Sequence, residues 1–369
     1  MRHKSFLIRL IFLSLCLASV SISAQTKFVV ESKRQTEKVD AFVREKMSEN
    51  HIPGLSLAVA RDGKIILAKG YGMANLELSA PANEKTAFAI YSITKLFTAV
   101  ATMMLVEEGK ISLEDPISKY LKDLPAAWNP VTVRQLLNHT SGIKSFQESS
   151  FDSNNPTRDY TPTEIIKITA NFPLDFPSGE RWEYNNTGYF LLGMLIEKVS
   201  QKSYEQFLTE RIFAPLEMRD TRLENSAELI PNRADGYTWQ NNGFRNAVRI
   251  SPTISFSVAG LVSTVLDLAK WDAALYTEKF LKKTTLEQMW TYTKLNNGEI
   301  ETNGGLGFGL TPFRGHKRVG HSGGAAGFAT TITRLIDDKI TVIVLTNADR
   351  EGFLISDIAN EIASFYFPN

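Results

Sequence analysis

Tyr91-Ser92-Ile93-Thr94-Lys95 opens an apolar run that continues through Leu96, Phe97, Ala99, Val100, Met103, Met104 and Leu105. The run has helical spacing, so Ser92 and Lys95 fall one turn apart on one face, with Cβ atoms roughly 5–6 Å apart. A serine hydroxyl is a weak nucleophile until a neighbouring base takes its proton. A lysine held in a dry pocket gives up its charge and can be that base, and a helix N-terminus favours the negative charge that develops. Serine and lysine three apart are common on helices, so this SxxK pattern marks a catalytic site only if the rest of such a site follows downstream.

Outward from this stretch, the N-terminus carries Arg2, His3, Lys4 and Arg9 ahead of and within an apolar run from Leu10 to Val20 that ends in small residues at Ser21, Ser23 and Ala24. That order reads as a secretory signal peptide over residues 1–24, cleaved after Ala24. The run is shorter than the ~20 apolar residues a bilayer span needs, and no later segment reaches that length. A lipid anchor on Cys16 is disfavoured because Leu15, and not a small residue, precedes it. Cys16 is the single cysteine, so the mature chain would hold neither a disulfide nor a thiolate metal site. Removing Arg2, Lys4 and Arg9 takes the basic count from 41 to 38 against 40 acidic residues, a net charge of −2. No nucleic-acid partner is expected of such a chain. The 43% of hydrophobic residues can form a large core, and the length allows two lobes.

Ser32 to Glu49 places Val39, Phe42, Val43 and Met47 at helical intervals, and Pro53-Gly54 stops the pattern. Leu55 to Ala60 and Ile65 to Gly70 read as two strands joined by the hairpin turn Arg61-Asp62-Gly63-Lys64. A lone hairpin is not stable, and the comparable strands lie at the far end, Phe328 to Leu335 and Ile340 to Asn347 around Asp337-Asp338. The expected fold is therefore of α/β (α+β) type, one antiparallel sheet flanked by helices and built from both ends of the chain, with a largely helical insertion between them. In numbers, residues 25–369 form a single domain, with a sheet lobe from about 33–85 and 255–369 and a helical lobe from about 86–254.

Within the insertion, Leu136 to Ile143 closes a helix and turns the chain at His139. With no carboxylate nearby in sequence to orient it, His139 reads as a structural turn residue in preference to a catalytic base. Lys144 to Tyr160 is rich in Ser and Asn and suits a surface loop bordering a site. Pro177 and Gly179 mark a turn before a helix that starts at Tyr189, which puts Tyr184 and Asn186 at a loop-to-helix junction aimed at a cleft. Thr264 should cap a helix carrying Leu268 and Trp271 on its core face. Leu306 to Leu310 reads as an edge strand with close packing at its glycines, and the small residues from Gly320 to Gly327 allow a substrate to approach a strand edge, where backbone N–H groups could form half of an oxyanion hole.

Ser92-Ile93-Thr94-Lys95, Tyr184-Asn185-Asn186 and His321-Ser322-Gly323 occur in the order, and at about the spacing, of the three motifs of the penicillin-recognising serine hydrolases. The chain resembles their class C branch, which includes class C β-lactamases, DD-peptidases, D-aminopeptidases and class C-like esterases. The likeness runs from about Val39 to Phe367 and includes Pro215 to Thr221 and Ala259 to Thr264. It implies a β-lactamase/transpeptidase-like fold and a set of roles. Ser92 would form an acyl-enzyme, Lys95 would take or relay its proton, and Tyr184, bonded to both and made more acidic by Lys95, would be the second proton shuttle. Asn186 would hold Lys95 and a substrate amide, the N–H groups of Ser92 and Gly324 would face the oxyanion, and Gln147 would contact substrate. His321, Ser322 and Gly323 would bind substrate as well.

Two departures qualify these roles. His321-Ser322-Gly323 stands where class C β-lactamases have Lys-Thr-Gly, as in many peptidases and esterases of the family, and Glu217 stands where the family usually has Gly. A histidine at its ordinary pKa of ~6.5 is mostly neutral at pH 7.5 but charges between pH 8 and 6, so help for an anionic substrate should grow over that range. The resulting expectation is an exported hydrolase, periplasmic or secreted, that cleaves an amide or ester of a small molecule or peptide without metal or cofactor. A true class C β-lactamase and a non-catalytic ligand-binding or sensor module on the same fold are the alternatives.

Overall fold

The computed structural model describes residues 33–148, 157–349 and 354–367, and the signal-peptide reading of residues 1–24 with Cys16 lies outside them. The chain divides into two units, residues 1–46 and 47–369. Helix α1, residues 33–49, accounts for the described part of the first. The second holds the sheet and every residue of the site.

Six strands form one antiparallel sheet. They are β1 (Gly54–Arg61), β2 (Lys64–Asn75), β3 (Ala80–Pro81), β4 (Arg318–Ala325), β5 (Phe328–Leu335) and β6 (Ile340–Thr346). Their order is β4-β5-β6-β1-β2-β3, so the two ends of the chain meet at the β6–β1 pair, in register from Leu55 opposite Thr346 to Arg61 opposite Ile340. β5 and β6 are buried at every residue and β1 at every residue but Arg61. Both faces of these strands are covered, which is why they read in sequence as continuous apolar runs and not as alternation. Helices α5 (Val265–Ala274) and α6 (Ile355–Ser364) pack against this part of the sheet.

Helix α2 (Thr94–Glu107) is buried at every residue from Thr94 to Leu105. A helix apolar on all sides belongs in the middle of a core, and α2 is enclosed by α3 (Asn186–Ser200) and α4 (Pro252–Ala259). The insertion is not wholly helical. It also carries the hairpin Tyr237–Gln240 with Gly243–Asn246, and the short strand Arg222–Leu223, which joins Phe88–Ala89 on Leu261–Ser263.

Two local expectations are corrected. Leu306 to Leu310 is a loop, touching the sheet where Gly309 and Gly320 exchange backbone hydrogen bonds of 2.9 and 3.1 Å. Gly307 there takes φ +87°, and a Cβ on it would meet the Ala99 Cβ at 2.4 Å, so the close packing is real but strand geometry is not adopted. Helix α3 starts at Asn186 and not Tyr189, because the Asn185 side chain accepts from the Gly188 N–H at 2.7 Å and caps it.

Candidate active site

Ser92 lies in a single 3₁₀ turn, Tyr91–Ile93, that runs directly into α2. Tyr91 is held at φ +44°, a left-handed conformation costing a non-glycine residue on the order of 1–2 kcal/mol. Tertiary contacts hold it there. Ile90 donates its N–H to the Leu261 carbonyl at 3.0 Å, and its own carbonyl accepts from Thr330 Oγ1 at 2.9 Å. Thr94 Oγ1 accepts from the Leu261 N–H at 3.1 Å, which fixes the start of the helix.

Lys95 is fully buried, with its Nζ 3.1 Å from Ser92 Oγ and 3.1 Å from the Val258 carbonyl oxygen. Burial alone pushes its pKa well below the ordinary lysine range. No carboxylate pairs with it among the described residues. Its aromatic surroundings, the Tyr184 and Tyr189 rings with centroids at 4.8 and 5.6 Å, further dry the site. Desolvation thus favours the neutral form of this amine beside the serine hydroxyl.

The Tyr184 phenol interacts with the Ser92 side chain, but burial drives its pKa above the ordinary phenol range, with the Ser92 interaction opposing. The acidic phenol implied by the resemblance is thus reversed, because desolvation of the phenolate outweighs the interaction with Ser92. His139 lies against Tyr184, its Nδ1 accepting from the Asn185 N–H at 3.0 Å. That agrees with the structural reading of His139, and its ring also lines the cavity in front of Ser92.

Asn186 is buried and donates from Nδ2 to Gln147 Oε1, which brings these two candidate substrate-binding residues together. Lys95, by contrast, donates to Val258 and not to Asn186, and Asn186 Oδ1 is buried with no partner. An unpartnered buried amide oxygen is costly and is suited to accept an N–H from a ligand.

His321-Ser322-Gly323-Gly324 lies on β4, the edge of the sheet, in unbroken register with β5. Gly320 spends its N–H and carbonyl on Gly309, outside the sheet, so strand alternation turns the N–H groups of Ser322 and Gly324 to the same open edge. His321 donates Nδ1–H to the Ser322 carbonyl at 2.5 Å, which leaves Nε2 as an acceptor. Although its surface is only half-buried, its pKa is lowered to about 4, by desolvation first and Lys95 second, with the Ser322 bond opposing. The expected titration between pH 8 and 6 is therefore corrected: crowding against the cavity wall keeps this ring neutral over that range.

A cavity of 440 Å³ brings together Ser92, Tyr184, His321 and Ser322. Among the described residues that line it, Arg318 is the one permanently charged side chain and there is no carboxylate. Arg318 Nε and Nη1 donate to the Thr311 carbonyl and Asn360 Oδ1 at 2.8 and 3.3 Å. Sequence reading missed Arg318, though β-strand parity with Gly320 and Ser322 put it on the same face. It also missed Val258, which acts through a backbone oxygen that carries no residue-type signal. Gly323 and Gly324 line an adjoining groove that shares Ser322 with this cavity. Among the described residues no cluster of three His, Cys, Asp or Glu side chains is arranged to hold a metal ion, and no helix is long and apolar enough to cross a membrane.

Known proteins are similar to this chain. Penicillin-binding protein 4* of Bacillus subtilis is 32% identical over 323 residues, which is 83% of this chain and 71% of that protein. The protein flp of Staphylococcus aureus is 28% identical over 85% of this chain, which spans 64% of flp. The crystal structure of D-amino acid amidase from Ochrobactrum anthropi SV3, complexed with D-phenylalanine, superposes with a TM-score of 0.78 at 25% identity, over 90% of this chain and 98% of that one. The family model described as Beta-lactamase matches residues 39–363, a span that takes in the Ser92 turn, Tyr184 and the β4 edge, and the chain belongs to that family of serine hydrolases and penicillin-binding proteins.

Proposed function

We propose that this protein cleaves an amide or ester through an acyl-Ser92 intermediate. The observation that supports this most directly is Lys95, a fully buried amine without a carboxylate partner, 3.1 Å from Ser92 Oγ. Neutral Lys95 takes the Ser92 proton as Oγ attacks the carbonyl carbon. The N–H groups of Ser92 and Gly324 receive the oxyanion, an interaction worth on the order of 3 kcal/mol per donor. Tyr184, protonated at neutral pH, gives its proton to the departing nitrogen or oxygen and regains one from Lys95. Water then hydrolyses the ester, with the proton transfers reversed. Asn186 Oδ1 accepts the N–H of a substrate amide, with Gln147 steadying Asn186.

The substrate is a small molecule or peptide, and neutral His321 favours an ordinary amide or ester over a carboxylate-bearing β-lactam. The likeness to an amidase complexed with D-phenylalanine supports the same choice. An acylating fluorescent probe should label wild type and not Ser92→Ala, and equal labelling of both would end the acyl-serine reading. Parallel rates on a short acyl ester, peptides ending or beginning in D-alanine and a cephalosporin then rank the substrates. We also propose export, with a mature N-terminus at about Gln25. N-terminal sequencing of protein from native cells tests it, and an intact residue 1 or an acylated Cys16 would refute it.

A further inference from the structure

We infer that His139 is the positioning residue for Tyr184, fixing the phenol on Ser92; this rests on the role proposed for Tyr184 above. Residues 182–185 belong to no helix or strand, so the loop has no ladder of its own to hold Tyr184 in place. Both peptide N–H groups flanking that residue end instead on His139. Glu183 donates to its carbonyl at 2.9 Å and Asn185 to its Nδ1 at 3.0 Å. The imidazole also fills the space beneath the phenol. Its centroid is 4.6 Å from that of Tyr184 at 37°, and 5.0 Å from that of Tyr189 at 31°, while Trp182 meets it edge-on at 6.0 Å.

The backbone argues that the side chain is what this position needs. His139 sits at φ +60°, where Gly or Asn is accommodated with less strain than an imidazole. What a histidine adds is an in-plane acceptor together with two flat faces. Since the Asn185 N–H occupies the lone pair of Nδ1, the neutral ring carries its proton on Nε2. Burial, then Lys95 and His321, lower the His139 pKa well below its ordinary value, so the clamp persists at neutral pH. His139 has no bond to Ser92 or Lys95 among the described contacts, and it acts through Tyr184.

The test is a series of variants that the backbone conformation accepts. His139→Gly removes acceptor and ring, whereas His139→Asn returns an oxygen close to the place of Nδ1. With a neutral ester, His139→Gly should lower kcat by about 10²-fold with KM nearly unchanged, the cost of a small misplacement at a reacting centre. His139→Asn should recover part of that loss. On a Tyr184→Phe background, His139→Gly should cost little more, because the group it positions is already gone. Folding is checked by Tm, and the crystal structure of His139→Gly should show the phenol displaced from Ser92 Oγ. A folded His139→Gly with wild-type kcat, a full multiplicative loss in the double variant, or a phenol unmoved from its place beside Ser92 would overturn the inference. If wild type itself is not acylated, the hydrolase reading fails, and the crystal structure alone still decides whether His139 places Tyr184.

Discussion

A Cβ on Gly323 would stand 2.3 Å from the Ile90 carbonyl oxygen and 2.8 Å from the amide nitrogen of Ser92. The edge strand and the turn that carries the nucleophile are therefore in backbone contact. That contact brings the Ser92 N–H close to the open edge on which Gly324 displays its own. Neither obstructing atom belongs to a flexible side chain, so even a methyl group must push the turn and the strand apart. Gly323→Ala should lower kcat by about 10²–10³-fold, as removal of an oxyanion donor does. Stability should fall by about 1–3 kcal/mol through overpacking. Steady-state rates together with thermal melts check this, and an alanine variant with wild-type kcat would show that the two N–H groups do not act as a pair.

Lys95 should be needed for chemistry and unhelpful for folding. Its folded pKa lies well below its unfolded one, so at pH values between the two the unfolded chain binds more protons than the folded chain. Stability therefore carries a penalty that fades as pH rises through the ordinary lysine value of ~10.4. Lys95→Met should lower the acylation rate by ~10²–10⁴-fold while its Tm gains on wild type as pH falls from 10 to 7. A Tm difference that is constant over that range would mean that the amine stays charged in the folded protein.

The same two pKa shifts give the activity profile. Rate requires neutral Lys95 and protonated Tyr184, and burial moves the first down and the second up. With a neutral substrate, kcat/KM should rise through an acid limb well below the ordinary lysine value and then hold a plateau beyond the ordinary phenol value of ~10. Tyr184→Phe should lower kcat far more than it changes KM. An alkaline fall centred below pH 9 would instead support the acidic phenol that the motif alone implies.

How much of this was legible in the sequence depends on what carries each feature. The pairing of the chain's two ends was readable because Asp62-Gly63 and four apolar runs are local signals, and the all-round burial of α2 because its run has no polar stripe. Ser92, Lys95 and Tyr184 were readable because their chemistry resides in side chains at fixed spacing. Charge state was not, because it depends on desolvation by residues distant in sequence: burial lowers the Lys95 pKa, and burial followed by Lys95 lowers that of His321. Gly307 was misread as strand because a glycine pattern does not distinguish a close approach from an extended backbone. Glu217, flagged where the family has Gly, takes φ +54°, the conformation glycine ordinarily supplies, so the departure is absorbed as local strain.

Anion recognition at this site should depend on Arg318 and not on the titration of His321. His321 has a folded pKa of about 4, so it is neutral from pH 8 to pH 6 and gains charge only in stronger acid. Arg318 loses some basicity to burial, with Asp357 opposing, yet a guanidinium remains charged throughout that range. Among the described residues it is the fixed charge in the walls of the cavity that holds Ser92. Absolute rates fall in acid for every substrate as Lys95 protonates, so the informative quantity is the ratio of kcat/KM for a carboxylate-bearing substrate to that for a neutral analogue. In wild type the ratio should be flat between pH 8 and 6. Arg318→Met should lower it by about 10-fold at pH 7.5, in keeping with ~1.5–3 kcal/mol for a charged hydrogen bond, while the neutral substrate keeps its rate. His321→Lys should raise the ratio, to the extent that its ammonium stays charged beside Lys95. A wild-type ratio that climbs between pH 8 and 6 would return the role to His321, and one that Arg318→Met leaves unchanged would place the anion away from this cavity.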